Sequence, residues 1–211
     1  MRKSLWTIGL ALAIPAVVSA QKVPRFEVFG GYSYGWINGY VANGSLLGSG
    51  TGTYPFPSFG SKGWTGSVAF NATRWFAVVA DIGGLYAMPT RTISGMPITI
   101  GMHERSYLFG PRFSNRFGRW TVFAHALAGE AHASVLIGGP EVLTPIGIVD
   151  TKWAIALGAG VDFTVYRPRG QGHGAGQELA IRLGQADWLR TNLVGSRQDN
   201  VRISTGVVFR F

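Results

Sequence analysis

The 211-residue sequence contains no cysteine. That absence excludes a disulfide framework, a cysteine-based metal site and a lipid anchor on a processed cysteine. Charge is sparse, at 14% of residues, and it leans positive, with 19 Lys and Arg against 10 Asp and Glu. Lysine is scarce: beyond position 20 only Lys22, Lys62 and Lys152 occur, so arginine dominates, as suits bidentate pairing with carboxylates. Basic residues form no cluster and no nucleic-acid-binding motif, so the net charge of +9 does not imply a nucleic-acid partner. Past position 20 no apolar run approaches the roughly 20 residues that a membrane-spanning helix needs.

Glycine and aromatics are abundant instead. The chain holds 31 Gly, 13 Phe, 7 Trp and 7 Tyr. Apolar residues interleaved with small and polar ones suit a membrane β-protein, whose strands show lipid one face and the interior the other. At the N-terminus, Arg2 and Lys3 precede an apolar stretch from Leu5 to Val18, and Val18 and Ala20 fit the −3 and −1 positions of a cleavage site. The pattern predicts a secretory signal peptide over 1–20 and a mature domain over 21–211.

Eight segments alternate with the period of two that marks a half-buried strand. In the first, Phe26, Val28, Gly30, Tyr32, Tyr34 and Trp36 oppose Glu27, Phe29, Gly31, Ser33 and Gly35. The others fall at about 63–72, 75–86, 104–113, 120–134, 153–165, 178–191 and 201–211. Pro111 is expected near a strand end or at a bulge, because proline cannot donate to a ladder. The turn after that segment is placed at Ser114 to Gly118. In the fifth segment Glu130 and His132 fall on the lipid parity, which predicts either an exit from the membrane or a bulge. In the seventh, Asp187 and Arg190 have opposite parities, so a bulge is expected near Gln185.

Connections after odd segments are long and two of those after even segments are short, the asymmetry of outer-membrane barrels with their turns in the periplasm. Segments of about 9–11 residues match a tilted crossing of the bilayer. The predicted fold is an eight-stranded antiparallel transmembrane β-barrel. Ten strands stay open, because 37–62 is long enough to hold a hairpin. Two aromatic belts are expected, with Trp36, Trp64 and Trp153 at the outer ends and Trp75, Trp120 and Phe209 at the inner ends.

From RFEVFGGYSYGW through YLFGPRFS to VRISTGVVFRF, the mature chain resembles the small bacterial outer-membrane barrels of the OmpA/OmpX-like kind. Val207, Phe209 and Phe211 resemble the C-terminal insertion signal of such proteins. The resemblance implies an outer-membrane location and partners among outer-membrane lipid and lipopolysaccharide. It also implies passage through periplasmic chaperones and the barrel assembly machinery, and a monomer. It implies no cofactor. The family contains anchors, adhesins, small pores and a few lipid-modifying enzymes, so it does not single out a role.

The inward faces bring together Glu27, Asp81, Arg112, Asp162, Arg182, Arg202 and Arg210. An eight-stranded barrel is only wide enough for its own side chains, so charges inside it must pair. The expected function is a structural or surface-interaction role with a filled lumen, the alternatives being a small passive pore or a lipid A-modifying enzyme. No catalytic or metal-binding residue is assigned. Glu130, His132 and Ser134 share one face, but neighbours at i and i+2 lie about 7 Å apart along a strand, too far for a base and its nucleophile. Arg91, Lys152, Arg190 and Arg197 are expected on the outer side, near lipid phosphates.

Overall fold

The computed structural model describes residues 24–38, 41–43, 53–55, 58–93, 96–138, 146–168, 177–193 and 197–211. Positions 1–20, with Val18 and Ala20, lie outside the described residues. Eleven strands follow in chain order: β1 (Phe26–Ile37), β2 (Val41–Asn43), β3 (Thr53–Pro55), β4 (Phe59–Asn71), β5 (Phe76–Ala87), β6 (Thr90–Ile93), β7 (Met96–Phe117), β8 (Trp120–Gly138), β9 (Ile146–Tyr166), β10 (Glu178–Thr191) and β11 (Gln198–Arg210). Eight of them form a closed antiparallel ring. β1 pairs with β4 on one side and β11 on the other, and β5 pairs with β7 to complete the circuit. The connection after β1 does hold a hairpin, but β2 and β3 pair with each other as a separate sheet, and β6 folds back on the start of β7. The barrel therefore has eight strands, not ten.

Alternation in sequence becomes alternation in space. Along β1 the even-numbered residues from Phe26 to Trp36 face outward, with Tyr34 half-buried, while Glu27, Phe29, Ser33 and Ile37 are buried. The outer face carries a belt of exposed apolar side chains, among them Val68, Ile82, Phe109, Val122, Leu157 and Val207. Trp75 stacks on Phe113 with centroids 5.8 Å apart at the end that holds the short turns. Trp36, Trp64 and Trp153 are exposed toward the other end. The inner face is the polar one: Arg182, Arg202 and Arg210 are among its largest fully buried side chains. Charges inside and hydrocarbon outside reverse the order of a water-soluble barrel and match the demands of lipid.

The strands are longer than a bilayer requires. β7, β8 and β9 run for 22, 19 and 21 residues, so their ladders continue beyond the belt and shorten the expected loops. In β8 the parity never breaks. Ala131, Ala133 and Val135 stay buried, and Glu130, His132 and Ser134 stay outward. No bulge flips the strand, and these polar side chains stay on the outward face. The β7–β8 turn falls later than expected. Phe117 pairs with Trp120, leaving a two-residue loop in which Gly118 has φ of 62°. That left-handed value favours glycine at the first position of a hairpin turn.

Pro111 is neither at a strand end nor at a bulge. It lies within β7, faces outward, and keeps its register opposite Val78 of β5. Toward β8 the paired residues step from Phe109 with Ala128 to Arg112 with His125, skipping Gly110 and Pro111 without a register shift. The missing amide is absorbed as a local gap in one ladder. The β10 bulge falls at its expected place: against β11 the register shifts between Arg182 and Gln185, which turns both Gln185 and Asp187 inward. At the closing seam Gly31 faces Gly206, and a Cβ on Gly206 would lie 2.2 Å from the Gly30 carbonyl oxygen. Two glycines let β1 and β11 approach there.

Candidate functional site

The interior side chains form one connected network across the lumen, two groups of ion pairs joined by the hydrogen bonds of Gln185. Glu27 on β1 is its anchor near the turn-bearing end. Arg112 lies 2.7 Å from it as an ion pair rather than an aligned hydrogen bond, Arg116 donates to it closely, and Arg210 is 3.5 Å away. Asn71 Nδ2 donates to the same carboxylate at 3.0 Å. Arg210 then reaches across to Asp162 at 2.7 Å. Asp162 also accepts from Arg182 Nε at 2.8 Å, and Arg182 Nη1 donates to Gln185 Oε1 at 2.7 Å. Gln185 Nε2 donates to Asp187 Oδ2 at 2.9 Å.

Asp187 is the second node. His125 Nε2 is 2.9 Å from its Oδ1, and Arg202 Nη2 is 2.8 Å from its Oδ2. Arg202 also donates to Asp81 at 3.0 Å, and Thr65 Oγ1 reaches Asp81 at 3.3 Å. Arg182 is clamped by hydrocarbon as well, its guanidinium lying 4.0 Å from the Phe29 ring centroid and 4.4 Å from that of Phe123. Cations over aromatic faces gain strength when desolvated.

Burial makes this pairing compulsory. The side chains of Glu27, Asp81, Arg112, Asp162, Arg182, Asp187, Arg202 and Arg210 are at most 3% exposed. Removing such groups from water costs several kcal/mol per ion, and only close pairing and additional hydrogen bonds offset it. Most of the members sit on different strands, so the network ties β1, β5, β7, β9, β10 and β11 together through the lumen. Extended arginines that span from wall to wall also fill it.

The structure brings all seven of the interior residues picked out from the sequence into this network. It adds Arg116, Gln185, Asp187 and His125. His125 lies on the parity opposite Glu130 and His132, which turns it inward. Arg116 fell in the presumed turn, and Asp187 and Gln185 lay past a bulge whose exact site decides which side chains face in. Glu104 is a further inward residue, at the first position of the fourth alternating segment. It lies where the outward neighbours are His103 and Arg105, above the apolar belt, and it is 2% exposed. Neither of its oxygens has a hydrogen-bond partner among the described residues.

Outside the barrel, the sequence candidates fare differently. His132 Nδ1 is 2.7 Å from Thr151 Oγ1, and Glu130 lies 4.0 Å from Nε2. Ser134 makes no hydrogen bond to His132 among the described residues. Of the four cations expected at lipid phosphates, Lys152 pairs with Asp150 at 3.4 Å, while Arg190 and Arg197 both engage Asp199, at 2.7 and 3.7 Å. The Arg91 side chain lies outside the described residues, as do 44–52 and the glycine-rich 169–176. The described residues contain no cluster of His, Asp and Glu able to hold a metal ion.

An apolar exterior around a closed ring with ion pairs inside defines a transmembrane β-barrel with a filled lumen. Its fold is that of the small eight-stranded outer-membrane barrels of the OmpA/OmpX-like kind. The attachment invasion locus protein Ail of Yersinia pestis, solved in complex with the heparin analogue sucrose octasulfate, has 15% identity and a TM-score of 0.56, covering 90% of this chain and 100% of that one. Neisserial surface protein A has 12% identity and a TM-score of 0.57 over the same shares. At these identities the likeness is one of fold. No family model and no curated protein sequence matches the chain.

Proposed function

We propose that the protein is an integral outer-membrane barrel with a structural and surface-interaction role, and that it does not conduct. The observation that carries this reading is the continuous line of buried ion pairs and hydrogen bonds from Glu27 to Asp81, bridged at its middle by Gln185, which occupies the lumen where a pore would need water. The extended β7–β9 sheet supplies a surface beyond the membrane on which a partner can act. The role is read as non-catalytic, because His132 is engaged by Thr151 rather than by Ser134.

The same reading includes export by a signal peptide over 1–20, cleaved after Ala20, and assembly as a monomer by the outer-membrane machinery with periplasmic chaperones. Val207 and Phe209 face outward on β11, and Phe211 follows them with its ring beside Phe26, so all three are offered on the outer surface for recognition during insertion. A test is a gene deletion. It should weaken the envelope against detergent or abolish a surface interaction while leaving small-solute uptake unchanged. Loss of uptake restored by the wild-type gene would overturn the reading in favour of a pore.

A further inference from the structure

The outer wall above the belt holds two cations with no partner among the described residues, Arg105 on β7 and Lys62 on β4. They differ from Lys152, Arg190 and Arg197, which are all engaged by carboxylates. Arg105 lines a hollow of mixed character and about 470 Å³ together with His103, Tyr107 and His132. Directly below lies an apolar groove of about 580 Å³ in the lipid-facing wall. Tyr107 lines both, so the hollow and the groove adjoin at its side chain.

The groove has a sequence cause. Small residues, Ala80, Ala128 and Gly129 among them, line it between the bulkier Ile82, Tyr107 and Phe109. On a strand wall, a patch of small side chains between large ones leaves a furrow wide enough for hydrocarbon. Above it, Tyr107 packs edge-on against His132 with centroids 5.6 Å apart, and Glu130 lies beside His132, which leaves Arg105 as the free charge. Lys62 pairs in register with Tyr86, which pairs with His103. Two strand spacings, about 10 Å, therefore separate the backbone positions of Lys62 and His103.

We propose that this face is a binding site for one phosphorylated, acylated glycolipid of the outer leaflet, its acyl chain in the groove and its phosphate on Arg105. A second phosphate would reach toward Lys62. The inference rests on the membrane reading above, and it adds a defined site to it. An acyl chain without an anionic head would leave Arg105 uncompensated, and a free anion would leave the groove unused. The adjacency of the two hollows at Tyr107 favours a ligand with both parts.

The test uses the full-length protein, exported, processed and purified as a folded barrel in detergent. Native mass spectrometry would follow its titration with bisphosphorylated lipid A, with phosphatidylethanolamine as the zwitterionic control. One lipid A should be retained per barrel, and phosphatidylethanolamine should bind at least tenfold more weakly, on the order of one charge-assisted contact. Arg105→Gln should weaken lipid A binding about tenfold, and Arg105→Lys should restore part of it. Ala128→Phe, which fills the groove from the outside, should weaken binding comparably, with Ala128→Leu as the milder substitute if the larger ring prevents folding. Equal binding of the two lipids, or wild-type affinity in either the charge or the groove variant, would overturn the site. A barrel that folds in lipid yet fails this test loses the site and keeps the membrane reading, which cell fractionation checks separately.

Discussion

Arg202 shows how single residues hold this barrel together. It bridges Asp81 and Asp187 from opposite parts of the wall, at 3.0 and 2.8 Å. Replacing it with methionine would strand both carboxylates in a buried site. Arg202→Met should therefore lower the unfolding free energy by about 3–5 kcal/mol, read from urea titrations in detergent. Restoring neutrality with Asp81→Asn and Asp187→Asn in the same chain should recover much of that loss.

At the scale of the element, most of the barrel was legible because alternation is a simple signal. Glu27, Asp81, Asp162 and Arg182 could be placed inside from parity alone, since a period of two fixes the face once the strand is found. Parity fails where the count slips. The β10 bulge decides that Asp187 faces in, and its approximate position near Gln185 was not enough to place Asp187 or Gln185 in the network. Strand ends are a second blind spot. Arg116 looked like a turn residue because polar residues and glycine cluster there, yet the ladder with β8 runs on to Phe117. Lateral pairing, which a one-dimensional pattern does not contain, also carries β7 to β9 past the membrane.

The last element closes the ring. Phe26 N–H donates to the Phe211 carbonyl oxygen at 2.8 Å, Phe211 N–H donates back at 3.0 Å, and the two rings stack with centroids 6.0 Å apart. Phe211→Ala removes the ring but keeps both backbone bonds. It should lower the amount of assembled barrel in the outer membrane several-fold while leaving the melting of the purified, folded protein nearly unchanged. Normal assembly of that variant would remove Phe211 from the insertion signal.

At the scale of the whole molecule, the barrel is an inverted solution to burial. Hydrocarbon faces lipid, and the ion pairs that would be surface features elsewhere become the core. Four carboxylates (Glu27, Asp81, Asp162 and Asp187) face five guanidiniums (Arg112, Arg116, Arg182, Arg202 and Arg210), so neither sign is left in large excess. Such a core is stiff, because moving one arginine uncovers a charge elsewhere. A network that seals the lumen leaves the wild type silent in single-channel recordings of the purified barrel in planar bilayers, with openings only after a substitution such as Arg202→Ala removes side-chain volume and a network node together. Reproducible, large openings of the wild-type monomer would contradict it.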